Sequence, residues 1–313
     1  MKKNDLLGLL ICLLWLGGLS AGPALAQPLQ IAVLESRALP VYENVLQQIR
    51  RDLPAVTFLV YDLAGQRETG EKALTEVRKK NVNLILTFGT LAATIAKDQE
   101  KNTPIVFTFV LNPAAAGLLP EPGAAKGNLT GVALDIPVTD QFAYFRLVVP
   151  RLRSIGVFYN QQESGAVIAE ARIAARDMGL TLKAIPITTP EEVPSKLNLL
   201  AGVDGLWMVA DSLVFTPRNT EYILLYTLKE DLPFMGVSEQ FVKAGALCSV
   251  SPDYDALTRQ TSGQIAAILR GVQPANLPVE LPQRIELALN LKAAESIGLK
   301  LSPEIIRQAD KTY

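Results

Sequence analysis

The stretch Leu84-Ile85-Leu86-Thr87-Phe88-Gly89-Thr90-Leu91-Ala92-Ala93 reads as a short strand that stops at a glycine and passes straight into a helix. Its first five residues are apolar or β-branched and do not alternate with polar ones, as expected of a strand buried on both faces. Working outward, runs of the same kind recur at Ile31–Leu34, Thr57–Tyr61, Ile105–Leu111, Ile155–Tyr159, Leu182–Ile187, Leu206–Val209, Phe234–Val237 and Leu247–Val250. Between them lie segments of helical periodicity: 40–52, 69–80, 90–99, 138–149, 163–178, 191–200, 217–230 and 253–270. Some carry start signals, such as Thr189-Pro190 before Glu191 and Glu192, or Ser251-Pro252-Asp253. Strands alternating with helices predict an α/β protein with parallel sheets and crossover helices.

Composition removes several chemistries. The chain of 313 residues contains no histidine and two cysteines. A Ser–His–Asp triad, a His-ligated metal, an imidazole pH switch and a thiolate zinc site are therefore ruled out. Lys+Arg 30 against Asp+Glu 31 gives net charge −1, so no basic excess points to nucleic acid or anionic lipid. The dinucleotide pattern fails after Gly89, and no phosphate-binding loop or nucleophile elbow occurs. Asp62, Asp211 and Asp253 could serve as acid–base groups in principle, but they form no paired constellation. No cofactor and no metal site is expected.

Residues 1–26 read as an export signal. Lys2 and Lys3 precede the apolar run Leu6–Leu19, then Pro23 and the small-residue pattern Ala24-Leu25-Ala26. The run falls short of the roughly 20 apolar residues that span a bilayer. Cys12 lies inside it behind Ile11, which does not suit lipid attachment. Cleavage after Ala26 would send a soluble chain to the periplasm with Cys248 as its lone cysteine, so that stability rests on the core rather than on disulfides. Cys248 itself reads as a buried strand residue.

Two features divide the chain. Pro113–Gly131 is rich in Ala, Gly and Pro, and Gly271–Pro282 holds Pro274, Pro278 and Pro282. Two open-sheet halves joined by more than one crossing fit this pattern. In such sheets ligands sit beyond the carboxyl ends of the strands. The residues there are Ser36, Gly89, Thr90, Asn112, Asn160, Ser164, Asp211 and Ser238. Gly89 allows close backbone approach, and Thr90 sets a hydroxyl beside free helix amides or serves simply as an N-cap. Asp211 offers a carboxylate to a ligand ammonium. As a loop residue outside the core, Asp211 is expected to weaken binding when changed to alanine while leaving the fold intact. Phe88, Phe109, Tyr159 and Phe215 lie near strand ends, where they stack on a ligand ring or fill the core.

The segments Leu86–Ala93, Thr103–Phe107, Asn112–Leu118, Gly127–Val132, Ile155–Asn160, Asp253-Tyr254, Asn290–Ala294 and Ala309-Asp310 together resemble the ABC-transporter substrate-binding proteins of the tryptophan/tyrosine-type family. The resemblance implies a type I periplasmic-binding-protein fold: two three-layer α/β/α domains joined by a multi-crossing hinge. The first domain would take residues 28–136 and 239–273, the second 137–238 and 278–313. It also implies that Gly89 and Thr90 receive a ligand carboxylate, and that Asn160 and Asp211 contact the ligand from the second domain. Where the family carries an acidic residue before a proline, this chain has Asn112; a carboxylate binding a ligand amine there would be missing. The implied function is solute binding for an ABC permease by a monomeric mature chain, with a small metabolite such as an aromatic amino acid closed between the lobes and released unaltered. A ligand-sensing subunit of a signalling receptor and an exported carboxylate-dependent enzyme are the competing readings.

Overall fold

The computed structural model describes residues 29–119 and 127–313. The expected signal, residues 1–26, lies outside the described residues. Every apolar run expected as a strand contributes to one. In the first half, β1 (Leu29–Glu35), β2 (Val56–Asp62), β3 (Leu84–Phe88), β4 (Ile105–Val110) and β5 (Leu129–Ala133) form a sheet in the order β2-β1-β3-β4-β5, all parallel. The connecting helices are α1 (Pro40–Asp52), α2 (Arg67–Arg78) and α3 (Thr90–Gln99). Ile31, Val33, Leu84 and Leu86 pack under Val45, Leu46 and Ile49 of α1. Ala32, Leu34 and Ile85 face Leu74 and Val77 of α2 and Ile95 of α3. Burial on both faces is why these runs do not alternate, and each large apolar side chain so buried contributes roughly 1.5–3 kcal/mol.

The second half begins at α4 (Val138–Val148) and continues through β6 (Ser154–Tyr159), α5 (Gln161–Asp177), β7 (Thr181–Pro186), α6 (Glu192–Lys196), β8 (Gly205–Trp207), α7 (Pro217–Lys229), β9 (Phe234–Gly236), α8 (Glu239–Ala244) and β10 (Cys248–Pro252). Helix α9 (Tyr254–Leu269) then leaves this half to pack on α1, with Leu257 and Ile265 in the first core. The chain returns through β11 (Ile285–Leu289), α10 (Leu291–Ser296), α11 (Pro303–Gln308) and β12 (Lys311–Thr312). The second sheet runs β12-β11-β10-β9-β8-β6-β7 and also has apolar cores on its two faces.

Three expectations need correction. The second sheet is not wholly parallel, because β11 pairs antiparallel with β10, Pro252 lying opposite Ile285. Strand β10 ends where the chain crosses to α9, and β11 starts where it crosses back, so the two must run in opposite directions. The stretch 239–273 is split: α8 and β10 belong with the second sheet, and α9 packs on the first. The stretch 113–131 is not loop throughout, since β5 starts at Leu129. Gly131 is required there because a Cβ would lie 2.3 Å from the Phe107 carbonyl oxygen.

The halves are joined by three passages, between β5 and α4, between β10 and α9, and before β11. Polar groups tie them together. The Asp253 amide donates to the Arg284 carbonyl at 3.0 Å, and Arg284 bridges Asp253 at 3.1 Å and Asp310 at 3.0 Å. Glu280 bonds both ways with β5, its amide donating to the Gly131 carbonyl and its carbonyl accepting from the Ala133 amide. Gln264, 3 % exposed, donates to Gly131, Pro278 and Glu280.

Candidate functional site at the strand ends

In the first half, β3 delivers Phe88 into Gly89, whose backbone (φ 85°, ψ 165°) is open only to glycine. A Cβ there would sit 2.7 Å from the Ser36 hydroxyl and 3.0 Å from the Tyr42 hydroxyl. Ser36, Tyr42 and Gly89 therefore converge on one spot. The Ser36 hydroxyl accepts from the Ala92 amide at 3.0 Å and so caps the first turn of α3. The cap position is Gly89, and Thr90 is the first helical residue, exposed, rather than the N-cap. The Thr90 and Leu91 amides lie in that same first turn, where an α-helix has no partners of its own for N–H groups.

Near the end of strand β4, Phe109 lies in the left-handed region (φ 57°), at a register shift against β5. Its ring lies 5.0 Å from Tyr42, 5.9 Å from Phe88 and 5.3 Å from Tyr254, stacked on the last two. Tyr42 and Phe88 are 5.1 Å apart. The result is a four-ring nest in which Phe88 is fully buried and Tyr254, the first residue of α9, is 43 % exposed. Asn112 (φ 46°) is occupied locally: its amide donates to both Asp135 carboxylate oxygens at 2.9 Å, and its side chain accepts from the Ala115 amide. Burial raises the Asp135 carboxyl above its ordinary range.

Glu35 ends β1 at 5 % exposure. Burial, then the charges of Glu43 and Asp62, push its carboxyl up, and Arg50 only partly offsets them. Tyr42 is raised by burial and by Glu35. The expected ligand contacts do not include Glu35, Tyr42 or Tyr254. One signal was present: period two along β1 places Glu35 on the face of Ile31 and Val33, where a carboxylate is out of place.

The second half presents a different edge. Asp211 is 3 % exposed, and its carboxylate accepts from the Asn160 amide at 2.6 Å, the Ser164 hydroxyl at 2.5 Å and the Val214 amide at 3.0 Å. Asn160 caps α5 by accepting from Gln162 and Glu163, and donates to the Ile187 carbonyl. Ser164 is 2 % exposed. The three expected residues are thus brought together, but into a network that binds the end of β6 to the loop after β8. Asp211 is not a loop residue outside the core, and its expected neutrality to the fold is corrected accordingly. Tyr159 lies in one core of this half and Phe215 packs against the other. Ser238 sits before α8, half-buried, and makes no side-chain cap. Its neighbour Glu239 is held at about 2 by Lys243, Tyr313 and Lys311. Cys248 is fully buried, and burial pushes its thiol up.

Among the described residues no group of three His, Cys, Asp or Glu side chains could hold a metal ion, and no helix is long and apolar enough to cross a membrane. The family described as ABC transporter substrate binding protein matches residues 59–313. The chain belongs to that family. A tyrosine-binding protein of Clostridioides difficile (strain R20291) is 24 % identical over 229 residues, covering 72 % of this chain and 66 % of that protein, just under two thirds of its length. Among solved structures, a substrate-binding protein with adhesive properties from Clostridium difficile, in its ligand-free open form, superposes with TM-score 0.80 at 20 % identity, covering 90 % of this chain and 98 % of the other. A domain from Streptococcus pneumonia in complex with L-Trp gives 0.68 at 21 %, covering 91 % and 99 %. The two solved structures share the fold seen here.

Proposed function

We propose that this chain is the solute-binding component of an ABC importer. It takes an aromatic amino acid between its two halves, presents the closed form to a membrane permease and carries out no chemistry on the ligand. The observation that carries the reading is the first-half edge, where a four-ring nest adjoins the Ser36–Gly89 spot and the amino-terminal turn of α3. The nest suits an aromatic side chain, and helix amides suit a carboxylate. The named tyrosine-binding relative and the L-Trp complex support the same ligand class. On this reading the strand ends of the two sheets face each other across the three hinge passages, with Gly89, Thr90 and Ser36 on one side and Ser238 and the Asn160–Ser164–Asp211 edge on the other. Asn112 shapes the loop and does not touch the ligand. The mature chain works in the periplasm as a monomer after cleavage behind Ala26.

Thermal-shift screening of the mature chain against the common amino acids tests this. Tryptophan, tyrosine or phenylalanine at a hundredfold excess over Kd should stabilise the native state by about 2.7 kcal/mol. Recovery of the ligand unaltered should accompany the shift. Silence with all three aromatic amino acids, or their conversion to another product, would reject the proposal.

A further inference from the structure

Glu35 is 5 % exposed, and its side chain makes no hydrogen bond or salt bridge to another described residue. It lies opposite Asp62 on one side and Phe88 on the other, at the end of an otherwise apolar strand face. Its environment comprises Tyr42, Glu43 and Arg50 from α1 and Asp62 from β2, with Tyr254 of α9 meeting it through Tyr42. None of these neutralises it by direct contact. Asp62 is turned to its own loop, accepting from the Ala38 amide at 3.0 Å and the Ala64 amide at 2.8 Å. Arg50 lies over the Phe58 ring at 5.9 Å. Neither the Glu35 carboxylate nor the Tyr42 hydroxyl is hydrogen-bonded by another described residue, and neither is among the fully buried polar atoms left without a partner. A carboxylate that its own fold does not engage, at the carboxyl end of a parallel strand, is placed to meet a ligand.

We propose that Glu35 receives the ammonium group of the bound ligand, so that a positively charged amine on an aromatic skeleton is obligatory for binding. This rests on the function proposed above and specifies its ligand chemistry. An ammonium in this place meets the Glu35 carboxylate, the Tyr42 hydroxyl and the faces of Tyr42 and Tyr254, all of which favour a cation. The excess of carboxylates from Glu35, Glu43 and Asp62 over the one arginine repels a ligand that lacks the amine. The ligand's carboxylate then points to the first turn of α3, beside Gly89, and its ring enters the nest. Glu35 thus supplies the amine-binding carboxylate that Asn112 does not.

Calorimetric titration of the mature chain and its Glu35→Gln variant tests the assignment, with L-tryptophan, L-tyrosine, L-phenylalanine and the deaminated analogue 3-phenylpropanoate. The parent should prefer phenylalanine to 3-phenylpropanoate by about 100-fold, and the variant should lose most of that preference by binding the amino acid about 100-fold more weakly. The ligand-free variant should melt at or above the parent, because the Glu35 carboxylate makes no hydrogen bond that the fold would lose. Retention of the preference by the variant, or equal binding of both compounds by the parent, would overturn the role of Glu35 alone. A ligand-free variant that melts well below the parent would show the carboxylate serving the fold and would also overturn it. Failure of the parent to bind any of the three amino acids would overturn the functional reading as well.

Discussion

The strand ends of the two halves carry similar residue types yet spend them differently. At the second edge a buried carboxylate, Asp211, accepts three hydrogen bonds from its own chain. At the first edge Glu35, 5 % exposed, accepts no hydrogen bond from another described residue, and the Tyr42 hydroxyl makes none with them. Hydrogen bonds satisfied internally hold loops in place. A carboxylate that its own chain leaves unengaged at a strand end is available to a ligand. The contrast gives Asp211 a part in construction and supports the recognition role proposed for Glu35, although both are acidic residues that follow parallel strands.

The largest effect should come from Asp211→Ala. It would strand two amides and one hydroxyl in a dry environment, costing about 3–5 kcal/mol. Urea unfolding should show this loss without any ligand present. The matching comparison is Ser164→Ala, which removes one donor and should cost about 1 kcal/mol. If Asp211→Ala kept the parent's midpoint and lost only affinity, the contrast between the two edges would collapse.

Gly89→Ala should come next. The backbone there lies in a region essentially confined to glycine, and the new Cβ would press on the Ser36 hydroxyl at 2.7 Å. A loss of about 2 kcal/mol in stability is expected, with weaker ligand binding because Ser36, Tyr42 and the start of α3 shift together. A purely local strain would lower the melting temperature and leave affinity unchanged, which would separate Gly89 from the recognition edge.

The sequence made the strands, their order of alternation with helices and the position of Gly89 legible, because these depend on local patterns: continuous apolar runs, helical spacing and a glycine where a strand turns into a helix. It did not show β5, β11 or β12. Ile285–Leu289 follows a proline-rich stretch and carries Glu286, and Lys311–Thr312 is two residues long. Both are strands only because the edge of the second sheet offers them partners. The same limit separated the two acids. Asp211 and Glu35 each end an apolar run, and what distinguishes them is the set of donors brought from distant positions, Asn160 and Ser164 in one case and none in the other.

Acid titration of binding sharpens the comparison further. Burial and neighbouring acids raise the Glu35 carboxyl, so it takes up its proton at a higher pH in the folded, ligand-free chain than in the unfolded one. That contribution to stability is fully present below the unfolded value of 4.5 and is lost as pH rises through the folded value. Binding of an ammonium has the opposite sign, since it requires the ionised carboxylate. Affinity for an aromatic amino acid should fall several-fold as the pH is taken down through the folded value, and should be flat in Glu35→Gln. A variant that follows the parent's curve would place the titrating group elsewhere, with Glu43, Asp62 and Asp135 as the acids to test.

The smallest effect belongs to Glu239 at the start of α8, which is bonded by Lys243, Lys311 and Tyr313 and held at about 2. A depressed carboxyl contributes stability that is present above its unfolded value of 4.5 and is lost as pH falls toward 2. Its side chain keeps 29 % exposure, so solvent screens the pairs and the contribution should stay below about 1 kcal/mol. Glu239→Gln should therefore lower the melting temperature slightly at neutral pH and reduce the loss seen on acidification, with the difference from the parent shrinking in high salt. Lys311 also pairs with Glu286, so part of the cluster survives the change. Amino-acid affinity at neutral pH should be unaltered, because the charges of Glu239 are already met by its own chain, as those of Asp211 are. A drop in affinity at constant stability would move Glu239 from the satisfied group to the recognising one and would enlarge the ligand surface on the second half.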